Sequence, residues 1–305
     1  MTLWSELAPA AREALAAAIP HASLHAARKI GEGYGAAAFR VPDPEGDWSV
    51  RLPRPEAEWA IPDLEREVRL LPTLEARIAA VETPRDAGVV RDDGGGFVAA
   101  VHRYVEGGPP STRAIRGRKR ERLATQIAAF LRQLHAVPRT VAKRHGVREM
   151  DLWPDRYQPL IANSLAHLGP AGRRWLEAQA ANFEAAGATS DVPRVPIHGD
   201  LAGPHLLLDD DSNLRGVIDF GDAMLADPAL DFAGILNEFS WAFLERVLEH
   251  YGNADPGALG RARFYIDVVP IFQVEYGEHI RDGEERRAGI RRIAARAAAL
   301  RRGGR

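Results

Sequence analysis

IHGDLAGPHLLLDDDSNLRGVIDFGDA, residues 197 to 223, places acid beside apolar runs in a way that few structural roles require. HLLLDD and RGVIDF each supply a few strand residues, DDSN between them is a turn, and the predicted result is a hairpin with an Asp just past each apolar run. Carboxylates at the ends of buried strands suit a magnesium and phosphate site: a hard dication takes oxygen ligands, and apolar walls keep water from screening it. Asp219, preceded by Val217 and Ile218, is one such ligand. Asp200 opens the loop, where it can accept or orient the proton of an attacking hydroxyl. Both anions are expected to be buried around a shared divalent ion.

Outward from this segment the chain changes character. Leu7, Ala11, Leu15 and Ile19 form one stripe of an amphipathic helix ending at Pro20. ARKIGEGYGAAAFRV (27 to 41) and DWSVRLPR (47 to 54) read as a glycine-broken hairpin and a third strand. Residues 57 to 80 have helical spacing at Leu64, Val68, Leu71, Leu74 and Ile78, with Pro72 as a possible interruption. Two short strands flank RDDGGG (91 to 96), the second being FVAAVHRYV (97 to 105), and EGGPPST (106 to 112) marks a lobe boundary. Beyond it the pattern is helical over 121 to 138, 171 to 187, 229 to 252, 257 to 280 and 285 to 302. The expected organisation is α+β, with a small strand-rich lobe over 1 to 105 and a larger, mainly helical lobe over 106 to 305.

Composition narrows the function classes. Forty Lys and Arg against 42 Asp and Glu leave a net charge of −2, so no global field draws the molecule to nucleic acid or a membrane surface. With no Cys there is no disulfide, thiolate metal site or cysteine nucleophile, and any metal is held by oxygen or imidazole. The first 20 residues lack the basic start and unbroken apolar run of a signal peptide, and no run of about 18 apolar residues occurs. A cytoplasmic protein with a small-molecule partner is expected.

His198-Gly199-Asp200, then His205, then Ile218-Asp219-Phe220-Gly221 resembles the signature of the aminoglycoside and macrolide phosphotransferases, a family with the two-lobed protein-kinase-like fold. The resemblance continues in Asp227-Pro228, Asp231-Phe232, Leu134-His135-Ala136-Val137-Pro138 and the N-terminal Gly31, Gly33, Gly35 pattern. It implies Mg2+ and a nucleoside triphosphate, ATP or GTP, as phosphoryl donor. Asp200 then matches the catalytic Asp, Asp219 the magnesium-binding Asp, and His205 a metal position the family usually fills with Asn. His198 is expected to support the loop by hydrogen bonding, and Asp231 to brace it. Gly31, Gly33 and Gly35 would cover phosphates with their backbone N–H groups. Arg51 stands where the family usually has Lys, a planar fork replacing a point-like donor, with Glu67 as its partner. Main-chain groups of His102, Arg103, Tyr104 and Val105 would read the base edge.

Only eleven residues separate Asp219 from Asp231, too few for the activation segment of a protein kinase, so the acceptor is a small hydroxyl compound. Asp222, Asp267, Glu275 and Glu278 suit a polycationic acceptor such as an aminoglycoside antibiotic, whose amines need counter-charges when desolvated. Phe264, Tyr265, Phe272 and Tyr276 keep an apolar, macrolide-like pocket open as an alternative. A peptide antibiotic and a metabolic alcohol such as choline or a sugar remain further alternatives, as does a nucleotide-binding pseudokinase, given Arg51 and His205 at altered positions. The Arg-rich tail, with Ile290, Ile293, Ala297 and Leu300 on one side, reads as a surface helix rather than a nucleic-acid-binding one.

Overall fold

The computed structural model describes residues 3–111, 115–185 and 192–303. Its strands are β1 (Arg28–Glu32), β2 (Ala36–Val41), β3 (Trp48–Pro53), β4 (Gly88–Arg91), β5 (Phe97–Arg103), β6 (Val195–Ile197), β7 (Leu206–Leu208), β8 (Leu214–Val217) and β9 (Met224–Ala226). The first helices are α1 (Pro9–Ala18), α2 (Ile61–Arg77), α3 (Gly117–His135), α4 (Arg139–Arg144), α5 (Gln158–Ala166) and α6 (Pro170–Ala185). They are followed by α7 (Ala229–Glu238), α8 (Trp241–Tyr251), α9 (Ala258–Val268), α10 (Pro270–His279) and α11 (Gly283–Gly303). The chain forms two compact units: Met1–Val147 with Gly203–Ala223, and Arg148–Ala202 with Met224–Arg305.

In the first unit, β1 to β5 make an antiparallel sheet in the order β1-β2-β3-β5-β4. Alternation along β2 sends Ala37, Phe39 and Val41 into the core with Val50 and Leu52 of β3 and Val101 of β5. The predicted N-terminal stripe joins them: Leu15 and Ile19 are fully buried, each worth about 1.5–3 kcal/mol. Helix α2 is continuous, with Pro72 inside it. Two of its buried residues, Arg66 and Glu67, are charged, which packing alone does not explain. Leu123, Ile127, Phe130, Leu131 and Leu134 of α3 are all buried, as their spacing predicts.

The β7–β8 hairpin forms where the sequence places it, and Asp209 is its turn residue, accepting from Asn213 N and Nδ2 at 2.8 Å each. In the second unit a short antiparallel pair, β6–β9, brackets the hairpin in sequence and has too few residues to show a strand period.

The periodic segments 229 to 252 and 257 to 280 are each two helices in the structure. The segment 229 to 252 divides because Ser240 leaves helical geometry and its side chain caps α8 by accepting from Phe243 N at 3.2 Å. Pro270 divides α9 from α10. Helix α6 ends at Ala185, and the last two residues of the expected 171 to 187 helix lie outside those described, as does Thr112 of the boundary segment. Ile293 and Ala297 of α11 are buried along its apolar side; the side chain of Leu300 lies outside the described set. Among the described residues no helix is long and apolar enough to cross a membrane.

Candidate active site

Arg51 stands in the middle of the five-stranded sheet, opposite Ala38 on β2 and Ala100 on β5, two small neighbours beside a large guanidinium. It forms an ion pair with Glu67 through Nη1, and its Nη2 donates to Asp219 Oδ1 at 2.9 Å. Glu67 is 1% exposed, and its other oxygen accepts from the N–H of Phe220 at 2.9 Å. Burial pushes the Glu67 carboxyl up to about 7 against the pull of Arg51, while Asp219 pushes the same way as burial. Burial also opposes the charge on Arg51, but Glu67 and Asp219 outweigh it and hold the guanidinium protonated.

Asp219 has φ 67° and ψ 64°, a left-handed conformation that costs a residue with a side chain about 1–2 kcal/mol. The following Phe220 is fully buried, tilted against Phe130 at 6.5 Å. The β7–β8 ladder continues one bond further, Ile218 N to His205 O at 3.1 Å, and this sets the His205 ring beside Asp219. His205 Nε2 lies 3.5 Å from Asp219 Oδ2.

No group of three or more His, Asp or Glu side chains able to hold a metal by themselves occurs among the described residues. One carboxylate does fit magnesium delivered with phosphates, which binds through one or two carboxylates and completes its shell with phosphate oxygens and water. Imidazole is a softer donor, so Asp219 carries the fit.

The expected phosphate loop is only partly free. Gly31 and Gly33 border open space, but the N–H of Gly33 is spent on Ala36 O at 2.9 Å. Gly35 is glycine for packing: a Cβ there would stand 2.6 Å from Ala60 Cβ. Of the residues expected to read the base, Arg103 and Tyr104 have their N–H groups bonded to Arg85 O and Asp47 O at 2.8 Å each, so neither N–H is open to a base edge. Their side chains are also engaged, the Arg103 guanidinium over Trp48 and the Tyr104 ring under Arg40, each at 4.1 Å. Val105 is buried and packs where Gly216 leaves room.

His102 is buried, with Nδ1 2.9 Å from Arg103 O, and burial lowers its pKa to about 4. The unfolded chain protonates this ring near 6.5, the ordinary value of an imidazole, so the stability it contributes is present above that pH and lost as pH falls towards 4. Wild type is therefore expected to lose about 2 kcal/mol more than His102→Asn between pH 7 and pH 5. Denaturant unfolding of both proteins at the two pH values measures this. Glu67, whose raised carboxyl acts in the opposite direction, is common to both and cancels.

In the second unit, His198-Gly199-Asp200 follows β6. Asp231, fully buried in the first turn of α7, accepts from the N–H of His198 at 2.9 Å and of Gly199 at 3.0 Å. His198 is also fully buried, and its Nδ1 accepts from Asp200 N at 3.3 Å. Both act on the loop as their sequence positions suggest. The expectation that both anions are buried does not hold. Asp200 is exposed and the Asp219 side chain keeps 36% of its surface.

Gly234, one turn beyond Asp231, escapes sequence reasoning, although a glycine inside the helical run ALDFAGILNE is a signal of close approach. A Cβ there would fall 2.1 Å from Leu201 O, the carbonyl just after Asp200. Gly234→Ala gains about 1 kcal/mol of helix propensity but meets a backbone clash that cannot relax locally. We expect a net loss of about 2–3 kcal/mol in denaturant unfolding, with activity lost as the Asp200 loop shifts.

Asp227 is held more firmly than a helix cap needs. It accepts from Ala229 N at 2.9 Å, from Arg261 Nε and Nη2 at 2.7 and 3.1 Å, and from Tyr265 Oη at 2.8 Å. Arg261 also binds Asp255, fastening α9 to the start of α7.

Of the residues expected to bind the acceptor, Glu275 and Glu278 meet at one side chain and Asp267 has a partner of its own. Glu275 and Glu278 of α10 share Asn163 of α5, at 2.8 and 2.5 Å, and His167 lies 2.6 Å from Glu278. Asp267 is ion-paired separately to Arg263 at 2.7 Å. Asp222 is exposed in the turn after Asp219. Phe264 and Tyr265 are core residues, with Phe264 4.0 Å from Phe183 and Tyr265 4.9 Å from Tyr157, so they do not line an open apolar pocket.

Residues 26–265 match the model of the APH phosphotransferase enzyme family. The chain belongs to that family. Its curated relatives include the viomycin phosphotransferase of Streptomyces vinaceus, 29% identical over 54% of this chain and 58% of that protein. Another is the uncharacterised YcbJ of Bacillus subtilis (strain 168), 41% identical over 19% of each chain. The chain thus matches less than two thirds of the length of these two relatives. Among solved structures, a GDP and kanamycin complex of an APH(2'') enzyme superposes with TM-score 0.82 at 25% identity, covering 94% of this chain and 98% of that one. The macrolide 2'-phosphotransferase MphH of Brachybacterium faecium superposes with TM-score 0.72 at 22% identity, covering 92% and 96%. The chain has the two-lobed protein-kinase-like fold of these phosphotransferases, with a strand-rich part and a helical majority.

Proposed function

We propose that this APH-family phosphotransferase moves the γ-phosphoryl group of a magnesium-bound nucleoside triphosphate, ATP or GTP, to a hydroxyl of an antibiotic, with an aminoglycoside as the favoured class. The observation that carries the reading is Asp219, fixed in a left-handed turn by the buried Arg51–Glu67 pair. A carboxylate held in a fixed backbone conformation supports the reading of Asp219 as a magnesium ligand. Residues 1 to 105 supply the nucleotide-binding lobe and 106 to 305 the catalytic and acceptor-binding lobe. Asp219 holds magnesium with His205 assisting, Arg51 steadies the phosphates, and Asp200 orients the acceptor hydroxyl. Magnesium, when bound, neutralises charge developing on the transferred group. The remaining catalysis is positioning, for which the hydrogen-bonded loop around Asp200 is built.

The acceptor class is supported by the carboxylates of Glu275 and Glu278. Hydrogen bonding from Asn163, with the His167 ring beside it, keeps the Glu278 carboxyl below its usual range and therefore anionic. The likeness to a kanamycin complex points the same way. A peptide antibiotic is the second reading, favoured by the viomycin phosphotransferase. Incubation with magnesium, ATP or GTP and a panel of aminoglycosides, peptide antibiotics and macrolides, followed by mass spectrometry, tests both. A gain of one phosphate on an aminoglycoside is expected; a gain on a viomycin-type peptide alone selects the second reading. No transfer to any antibiotic overturns the acceptor assignment.

A further inference from the structure

Arg66 and Glu67 are consecutive buried residues of α2, and each grips a different peptide group after Asp219. Glu67 accepts from the N–H of Phe220, while Arg66 donates through Nη2 to the carbonyl of Gly221. The other arm of Arg66, Nη1, is anchored on Asp63 Oδ1 at 2.5 Å, one turn earlier on the same helix. Arg66 Nε is buried with no partner among the described residues. A guanidinium 7% exposed with one nitrogen left unsatisfied is a poor device for stability, because each unmet buried donor costs about 1–3 kcal/mol. Its geometry suits another purpose. A residue at φ 67° persists only where its surroundings over-determine it, and here the peptide just after Asp219 and the one two bonds further on are both pinned by a single helix.

We propose that Arg66 is a positioning residue that, together with Glu67, holds the turn at Asp219 and so aims its carboxylate at magnesium. The inference rests on the function proposed above and adds a residue to it. Arg66 touches neither metal nor nucleotide; it acts through the Gly221 carbonyl.

The test compares wild type, Arg66→Met and Arg66→Lys as full-length proteins, measuring binding of a fluorescent ATP analogue across a magnesium titration and, separately, thermal unfolding. Arg66→Met keeps the length of the stem without the fork, and is expected to raise the magnesium concentration for half-saturation about tenfold while leaving metal-free nucleotide binding within twofold. Arg66→Lys, able to reach Gly221 or Asp63 but not both, is expected to show a rise of about two- to fourfold. A folded Arg66→Met with the magnesium dependence of wild type overturns the proposal. If Arg66→Met does not fold, an unshifted magnesium dependence in folded Arg66→Lys overturns it equally. Wild-type nucleotide binding that is indifferent to magnesium removes the functional reading itself, and this inference with it.

Discussion

Asp200→Ala is expected to reduce turnover by about 10³-fold or more while nucleotide binding and stability stay close to wild type. The loop explains why the effects separate. Its shape is set by backbone groups: His198 and Gly199 donate to Asp231, and Asp200 donates its own N–H to His198 Nδ1. Truncating the exposed Asp200 side chain removes none of those bonds, and surface substitutions of that kind change stability by about 0.5 kcal/mol or less. What is lost is the carboxylate proposed to orient the acceptor hydroxyl. Steady-state release of ADP or GDP with a modified antibiotic, together with nucleotide titration, measures both parts. Activity near wild type in a folded Asp200→Ala protein would remove the mechanism.

Asp219→Asn is the second large effect, again about 10³-fold or more in turnover, but with the opposite binding signature. Asn is among the few residues that tolerate a left-handed backbone, so the turn survives and the charge alone is removed. Arg51 then keeps Glu67 and loses its partner on the loop, which leaves the cation facing one anion instead of two. Nucleotide affinity should become almost independent of magnesium, whereas in Asp200→Ala it should remain magnesium-dependent. Isothermal titration with and without the metal distinguishes the two variants. If Asp219→Asn retains a wild-type magnesium response, the ion is held elsewhere.

Much of this was legible in the sequence because the relevant signals are local. The spacing His198, Asp200, His205, Asp219 lies within one hairpin and its approach, and the hairpin forms as the apolar runs predict. The Arg51–Glu67 pair was legible through the family resemblance, which places a partner for the strand cation on the following helix. What was not legible depends on backbone approach. Gly35 and Gly234 look alike in sequence as helix or hairpin glycines, yet each is required by one contact with a distant segment. Arg66 looks like an ordinary helix-surface arginine until its arm is seen on the Gly221 carbonyl. The acceptor side was least legible. Acidic residues at helical spacing share a face, but their partners differ in origin: Glu278 is taken by Asn163 of the neighbouring α5, whereas Asp267 is taken by Arg263 one turn earlier on its own helix.

The two compact units are interleaved along the chain, which passes from one to the other after Val147, Ala202 and Ala223. During synthesis the amino-terminal part therefore emerges from the ribosome incomplete, lacking the strands and the anion-bearing turn on which Arg51 and Glu67 close. It must wait for some 75 further residues before those partners arrive. Nascent chains stalled short of that point should expose two opposite charges without their third member, and should be the species that chaperones and proteases meet first.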